Sequence, residues 1–287
     1  MIDDIFAKFD GAFAENTIRA YQADFIQYQT WCSQNSLAPI PATADTMSMY
    51  VDYLSGNNKS ATIRRRINSL GTVLKLSKNY DPTKQPEVIL ALKRMHRKIG
   101  RAQEQATPLT KTLLNQLLNN CDNSIMGVRN QVLLRLGYET MRRRSELCTF
   151  KFRDIDQAPN GKPIIKLNFS KTDQYGVGKV LPISKELSIL LNKWSDTLEN
   201  RGYILRSVNR HGHVGSNLNP ASISTILKTL QKNLQSEENE QPLSGHSFRV
   251  GAALDLLEQG ESIERIMLRG GWQSDSTAMK YLRNWIY

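Results

Sequence analysis

Cysteine is scarce: Cys32, Cys121 and Cys148 are the three in 287 residues. So few, so far apart, build neither a disulfide framework nor a zinc site, and they point to a reduced cytoplasmic protein. Long apolar runs are missing as well. No stretch approaches the ~18 consecutive apolar residues that a spanning helix needs. There is no lipidation motif, and the opening "MIDDIFAKFD" is acidic and amphipathic, unlike a signal peptide. The chain has no GxxxxGK[ST] loop to cradle nucleotide phosphates and no Asp/Glu cluster suited to a pair of magnesium ions. Of its four histidines, His211 and His213 lie in the turn-like "RHGHVG" without a carboxylate or cysteine at ligand spacing, so they read as a solvated loop. Acidic residues are in deficit, 27 against 38 Lys and Arg, which leaves a formal charge of +11. These absences exclude a disulfide scaffold, a membrane span and a P-loop nucleotide hydrolase. They leave a basic protein with no cofactor or metal expected and an anionic partner, nucleic acid ahead of a membrane surface.

What is present is length and hydrophobicity enough for two domains, with 40% hydrophobic residues. Residues 1–100 carry helical periodicity throughout. In "NTIRAYQADFIQYQTWCSQN" the apolar positions Ile18, Tyr21, Phe25, Tyr28, Trp31 and Cys32 recur at helical spacing. "TADTMSMYVDYLSG" has Thr43 or Asp45 as a cap and Gly56 as a stop. "SATIRRRINSLGTVLKLS" and "PEVILALKRMHRKIG" complete an all-α unit. The stretch "RAQEQATPL", 101–109, breaks the pattern and reads as an inter-domain linker. From 110 onward, helices alternate with one β-rich segment. There "KPIIKLNF" and "KVLPIS" flank "SKTDQYGVG", which has hairpin character. The expected class is therefore mainly α with a small antiparallel β-hairpin in a second domain, 110–287.

Basic residues cluster on the third and fourth helices: Lys59, Arg64, Arg65 and Arg66, then Lys93, Arg94, Arg97 and Lys98. Most charge runs are solvated helix faces, but two in one small domain with few acids nearby favour a nucleic-acid face.

Chemistry gathers in the second domain. "LSGHSFRVGAALD" sets His246 and Arg249 three apart at the front of an apolar helix, where free N–H groups and the dipole favour an anion. "ETMRRRSELC" puts three arginines at a probable helix end, with Glu146 three residues after Arg143. Taken alone, that is a helix surface with a local ion pair. Lys171 in "SKTD" stands at a hairpin tip or strand end, and on its own is a surface lysine. "LRGGWQSDSTAMKYLRNW" supplies a Gly-Gly turn, Trp272, cap candidates Ser274, Asp275 and Ser276, and Tyr281 on a last helix. Together these groups describe a metal-free phosphoryl-transfer site. Arginines grip phosphate oxygens, a lysine or histidine moves protons, a tyrosine is a covalent nucleophile and an indole N–H donates to the same phosphate.

The order Arg…Lys…His-x-x-Arg…Trp…Tyr resembles the tyrosine site-specific recombinases, the phage-integrase family. "TMRRRSEL" is similar to that family's Arg-x-[Ser/Ala]-Glu-[Leu/Ile] motif and so picks out Arg143 and Glu146 rather than Arg142 or Arg144. "SGHSFRVGAA" and "GGW" are similar to family versions nearly residue for residue. The family often has Gly-Leu before its first arginine, where this chain has Met141-Arg142. The resemblance implies two domains forming a C-shaped clamp around DNA. It implies Tyr281 as nucleophile forming a 3′-phosphotyrosyl link, Lys171 as general acid, His246 in proton transfer, Arg143 and Arg249 on the scissile phosphate, Trp272 bracing it and Glu146 orienting its neighbours. It further implies double-stranded DNA with inverted-repeat sites as partner, a homotetramer on DNA (monomer or dimer when free), a Holliday junction, and a place on the nucleoid. Tyr287 lacks the nine-residue spacing from Trp272 that Tyr281 has. Only "LRNWIY" follows Tyr281, so Trp285, Ile286 and Tyr287 are the anchor available for a neighbouring subunit. A type IB topoisomerase uses a similar residue set, but Trp272 and the compact helical first domain argue against it. A non-catalytic DNA-binding protein has no use for a tyrosine beside two arginines.

The charge and the Arg-rich helices lead to an expected salt dependence. DNA affinity should fall on the order of a hundredfold or more between about 50 and 200 mM salt. A binding isotherm that is flat across that range would refute the electrostatic reading.

Overall fold

The computed structural model describes residues 6–102, 104–169, 178–234 and 241–282. Contacts divide the chain into two units, Met1–Glu104 and Gln105–Tyr287. The first consists mainly of four helices: α1 (Glu15–Gln34), α2 (Ala44–Leu54), α3 (Ser60–Leu76) and α4 (Pro86–Ile99). Local chemistry sets their ends. The Thr43 hydroxyl accepts the Thr46 N–H at 3.1 Å, Pro86 opens α4, and Gly100 at φ +75° follows its last turn. The apolar stripes meet in a core that includes Phe25, Tyr28, Trp31, Tyr50, Ile67 and Leu70.

The second unit begins with α5 (Lys111–Asn119), α6 (Ile125–Thr140) and the single turn α7 (Arg144–Leu147). A three-stranded antiparallel sheet follows, β1 (Ile155–Gln157), β2 (Pro163–Leu167) and β3 (Lys179–Pro182), in that order. Ile165 in the central strand pairs with Ile155 on one side and Leu181 on the other. Then come α8 (Lys185–Thr197), α9 (Pro220–Lys232), α10 (Ser247–Glu258), α11 (Ile263–Gly270) and α12 (Asp275–Leu282). The architecture is mainly helical with a small antiparallel sheet, as the periodicities imply. Two elements escaped them. β1 is only three residues long, and α11 is short, with three charged residues among its eight, started by the Ser262 hydroxyl accepting the Arg265 N–H. Among the described residues no helix is long and apolar enough to cross a membrane.

One expectation changes. The stretch 101–109 is not a free linker along its length, because from Gln105 it belongs to the second unit. Leu109 is fully buried and its N–H donates to the Ser247 carbonyl at 3.0 Å, while the Thr107 hydroxyl donates to the Gln241 carbonyl at 2.9 Å. An apolar side chain placed just before α5 is drawn into the core, and the backbone follows it.

Helix α10 is the spine of this unit. Phe248, Val250, Ala252 and Ala253 are all buried, so it packs on nearly every side. The Leu109 backbone crosses it at Gly251, where a Cβ would lie 1.9 Å from the Leu109 carbonyl oxygen. Near its other end the Asp255 carboxylate accepts the Lys111 N–H at 2.7 Å and the Tyr138 hydroxyl at 2.5 Å, pinning α5 and α6 to it. Gly251→Ala is therefore expected to destabilise the second unit by about 1–3 kcal/mol through overpacking against backbone. Denaturant unfolding monitored in the full chain checks this, and an unchanged midpoint would contradict the close crossing.

Candidate active site

Helix α6 ends at Thr140 and Met141 adopts a left-handed conformation, φ 53°, so the chain reverses before α7 begins. The three arginines that the sequence suggests for one helix end are therefore splayed around a turn. Arg144 is exposed. Arg143 caps α7: its Nη1 donates to Glu146 Oε1 at 2.9 Å and its backbone N–H to Glu146 Oε2 at 3.1 Å. Glu146 is buried, which works against its charge, yet hydrogen bonds from Arg143 and the charges of Arg143 and Arg142 hold its carboxyl below the usual range. Arg142 turns inward and is almost completely buried, donating from Nε to the Thr140 carbonyl at 2.8 Å and from Nη2 to the Arg269 carbonyl.

Arg249 faces this turn from the first turn of α10. It is 0% exposed. Its Nη1 donates to the Met141 carbonyl, while Nε and Nη2 have no hydrogen-bond partner among the described residues. The guanidinium lies 4.9 Å from the Trp272 ring and 5.5 Å from the Tyr281 ring, and those two rings are 4.7 Å apart. The Trp272 Nε1–H is also buried and unpartnered among the described residues. Burial pushes the Arg249 pKa down, against the effect of Tyr281. Three buried donors without acceptors, two of them on a cation, form a costly arrangement unless something anionic completes it. A phosphodiester oxygen accepts such donors.

His246 occupies the N-cap position of α10. More than a third of its surface stays open, yet partial burial and then the charges of Arg249, Arg144 and Arg143 lower its pKa, which favours the neutral imidazole. Tyr281 stands on α12, whose first turn rests on Ser274: the Ser274 carbonyl accepts the Ala278 N–H at 3.2 Å. The structure thus brings Arg143, Glu146, His246, Arg249, Trp272 and Tyr281 into one neighbourhood. Lys171 lies outside the described residues, as does the tail with Trp285, Ile286 and Tyr287. Two further cations stand here that the sequence reading passed over. One is Arg142. The other is Lys179 on β3, whose pKa is lowered by burial, Arg142 and Arg249.

In the first unit the expectation of few acids near the basic cluster is overturned. Asp24 is buried between Arg65, which binds it through both Nη atoms (Nη2 to Oδ1 at 2.9 Å), and Arg66, whose Nε is 3.8 Å away. Lys59 pairs with Glu104 at 2.9 Å and Arg94 with Asp52 at 3.3 Å, both on the exposed surface, where such pairs are weak. Arg64, Arg97 and Lys98 have no carboxylate within 4.0 Å among the described residues. Asp24 is 41 residues from Arg65, too distant for helix-face arithmetic to find.

A model of the phage integrase family matches residues 107–285. The chain is 27% identical over 281 residues to an integrase/recombinase XerD homologue of Selenomonas ruminantium, covering 94% of this chain and 82% of that protein. It is 25% identical over 292 residues to the Cre recombinase of Escherichia phage P1, covering 95% and 85%. A lambda integrase dimer bound to a COC′ core site shares the fold with a TM-score of 0.69 at 17% identity, covering 100% of this chain and 78% of that one. The Tn1549 transposon integrase in complex with circular intermediate DNA gives 0.68 at 15% identity, covering 98% and 94%.

The electrostatics of His246 lead to a signed expectation. In the free protein its imidazole should titrate below the ordinary value of about 6.5, remaining neutral until the pH falls past that range. A bound phosphodiester offsets the arginine field and should move the midpoint upward. NMR titration of the His246 ring with and without DNA measures both. A free-protein midpoint above 6.5 would contradict the arrangement.

Proposed function

This chain belongs to the phage integrase family and is a tyrosine recombinase, and from that premise we propose that Tyr281 is the nucleophile with which it cuts and rejoins DNA at specific sites. The observation that carries the assignment is the set of buried Arg249 and Trp272 donors that find no acceptor among the described residues, beside the Tyr281 ring. A scissile phosphate seated there accepts from Arg249 and from the indole N–H, with Arg143 on its other side. The Tyr281 phenolic oxygen attacks phosphorus, and the bond from phosphorus to the 5′-bridging oxygen breaks. The products are a 3′-phosphotyrosyl link and a free 5′-hydroxyl. Neutral His246 takes the phenolic proton, and Lys171 supplies a proton to the departing oxygen.

Charge accumulates on the non-bridging oxygens in the transition state, so the arginine pair supplies the principal stabilisation. The phosphotyrosine conserves the energy of the broken bond, and ligation to a partner strand consumes no ATP and needs no metal. In this reading the two units clamp duplex DNA, the first through Arg64, Arg97 and Lys98 with the paired Lys59, Arg65, Arg66 and Arg94. Four subunits on paired inverted-repeat sites exchange strands through a Holliday junction, in the cytoplasm. The 27% and 25% identities to named recombinases support the recombinase function on which this sequence of events is built.

The test is covalent trapping. DNA fragments flanking the gene are incubated with wild-type protein and Tyr281→Phe, quenched in detergent, and the protein-linked DNA is sequenced. Wild type should give adducts at one site and Tyr281→Phe none, with DNA affinity changed by less than about threefold, since the hydroxyl acts only in the chemical step. Adducts of equal yield from Tyr281→Phe would overturn the assignment. Relaxation of a supercoiled plasmid lacking that site would instead mark a topoisomerase.

A further inference from the structure

The last turn of α11 is held by two cations from other parts of the chain. Arg142 donates through Nη2 to the Arg269 carbonyl, and Lys179 donates through Nζ to the Leu268 carbonyl. Both are C-terminal carbonyls whose helical partners have run out, at the negative end of the helix dipole. The clasp on the Arg142 side is reciprocal, because Arg269 Nε donates back to the Glu139 carbonyl at 3.3 Å near the end of α6. Gly271 follows at φ +68°, and a Cβ there would lie 2.7 Å from Arg142 Nη1, so the guanidinium uses the space that glycine leaves. The next residue is Trp272, whose backbone N–H donates to the Met267 carbonyl at 3.0 Å and whose ring rests on Arg249 and Tyr281.

The two donors come from two places that matter. Arg142 immediately precedes Arg143. Lys179 opens β3, the strand that returns from the connection carrying Lys171. We propose that Arg142 and Lys179 are positioning residues: by capping the last turn of α11 they fix the Trp272–Tyr281 arm to the Arg143 turn on one side and to the strand after Lys171 on the other. The inference rests on the recombinase chemistry proposed above. The charge environment agrees with it. Burial and then Arg249 bring the Arg142 pKa down to about 10, and burial, Arg142 and Arg249 pull that of Lys179 down, so both sit in the field that surrounds the phosphate seat.

The first test needs no DNA. Amide hydrogen exchange in the full chain is compared for wild type, Arg142→Leu, Lys179→Met and the donor-retaining Lys179→Arg. Exchange at Gly271 and Trp272 should quicken by about tenfold or more in Arg142→Leu and Lys179→Met, while α6 and α8 stay protected and Lys179→Arg matches wild type. Unchanged exchange in both, or a uniform rise along the chain, would overturn the proposal. The second test is single-turnover adduct formation on the DNA recovered by trapping, at saturating protein. Each loss variant should slow it by on the order of 10- to 100-fold, the scale of a displaced reacting group, with affinity within about threefold of wild type.

A substrate with sulfur at the 5′-bridging position separates positioning from proton donation, because a thiolate leaves without a proton. It should restore Lys171→Ala and leave Lys179→Met slow. Restoration of Lys179→Met would make Lys179 a proton donor and sink the positioning role. If wild type itself forms no adduct on any DNA, the recombinase reading fails, and the exchange experiment still decides the capping.

Discussion

A buried arginine with unfilled donors organises the second unit. Arg249 has no exposed surface, and among the described residues its Nη1 donates to the Met141 carbonyl while Nε and Nη2 lack an acceptor within hydrogen-bond geometry. Taking a guanidinium out of water costs several kcal/mol even after relaxation, so the surrounding fold must hold it in place. Helix α10 does so by being packed on nearly all sides. Leu109 crosses it at Gly251, Asp255 pins α5 and α6 near its far end, and its N-terminus meets the reversed turn at Met141. A strained or mobile α10 would let the guanidinium swing to water and lose its aim.

The same demand explains how several positive groups coexist in a small space. Arg142, Arg143, Arg249 and Lys179 converge near the buried carboxylate of Glu146, which is bound to Arg143. The other cations are met by backbone carbonyls: Thr140 and Arg269 for Arg142, Met141 for Arg249, Leu268 for Lys179. These carbonyls lie at or just past the ends of α6 and α11, where helices leave acceptors over. Carbonyls stabilise cations without cancelling their charge. Among the described residues the centre therefore stays net positive, which suits the phosphodiester proposed for it in a way that a further carboxylate would not. The lowered pKa of His246 follows first from its partial burial and then from the same field, since a proton there would face Arg249, Arg144 and Arg143.

The first unit handles its charge differently. Its Arg65 and Arg66 flank a buried carboxylate, so part of the basic cluster is structural, fixing α3 against α1 through Asp24. Arg64, Arg97 and Lys98 have no carboxylate partner among the described residues, and the pKa of His96 is lowered first by burial and then by the charges of Arg101 and Arg64. A charge run in a sequence is thus two populations, one spent on packing and one available to an anion.

Periodicity and caps marked the four helices of the first unit, the strands on either side of Lys171, and the helix carrying His246 and Arg249, because each is written in residues close in sequence. The motif residues Arg143, Glu146, His246, Arg249, Trp272 and Tyr281 were singled out by the resemblance of their motifs to a known family; taken alone, the Arg143–Glu146 pair reads as a local ion pair on a helix surface. Only the tertiary structure decided that Arg249 is wholly buried with donors to spare, that Asp24 neutralises Arg65, that Leu109 belongs to the core, and that Arg142 and Lys179 cap α11. Those facts depend on contacts between distant segments, and the last depends on backbone carbonyls, which every residue possesses and no sequence pattern can mark.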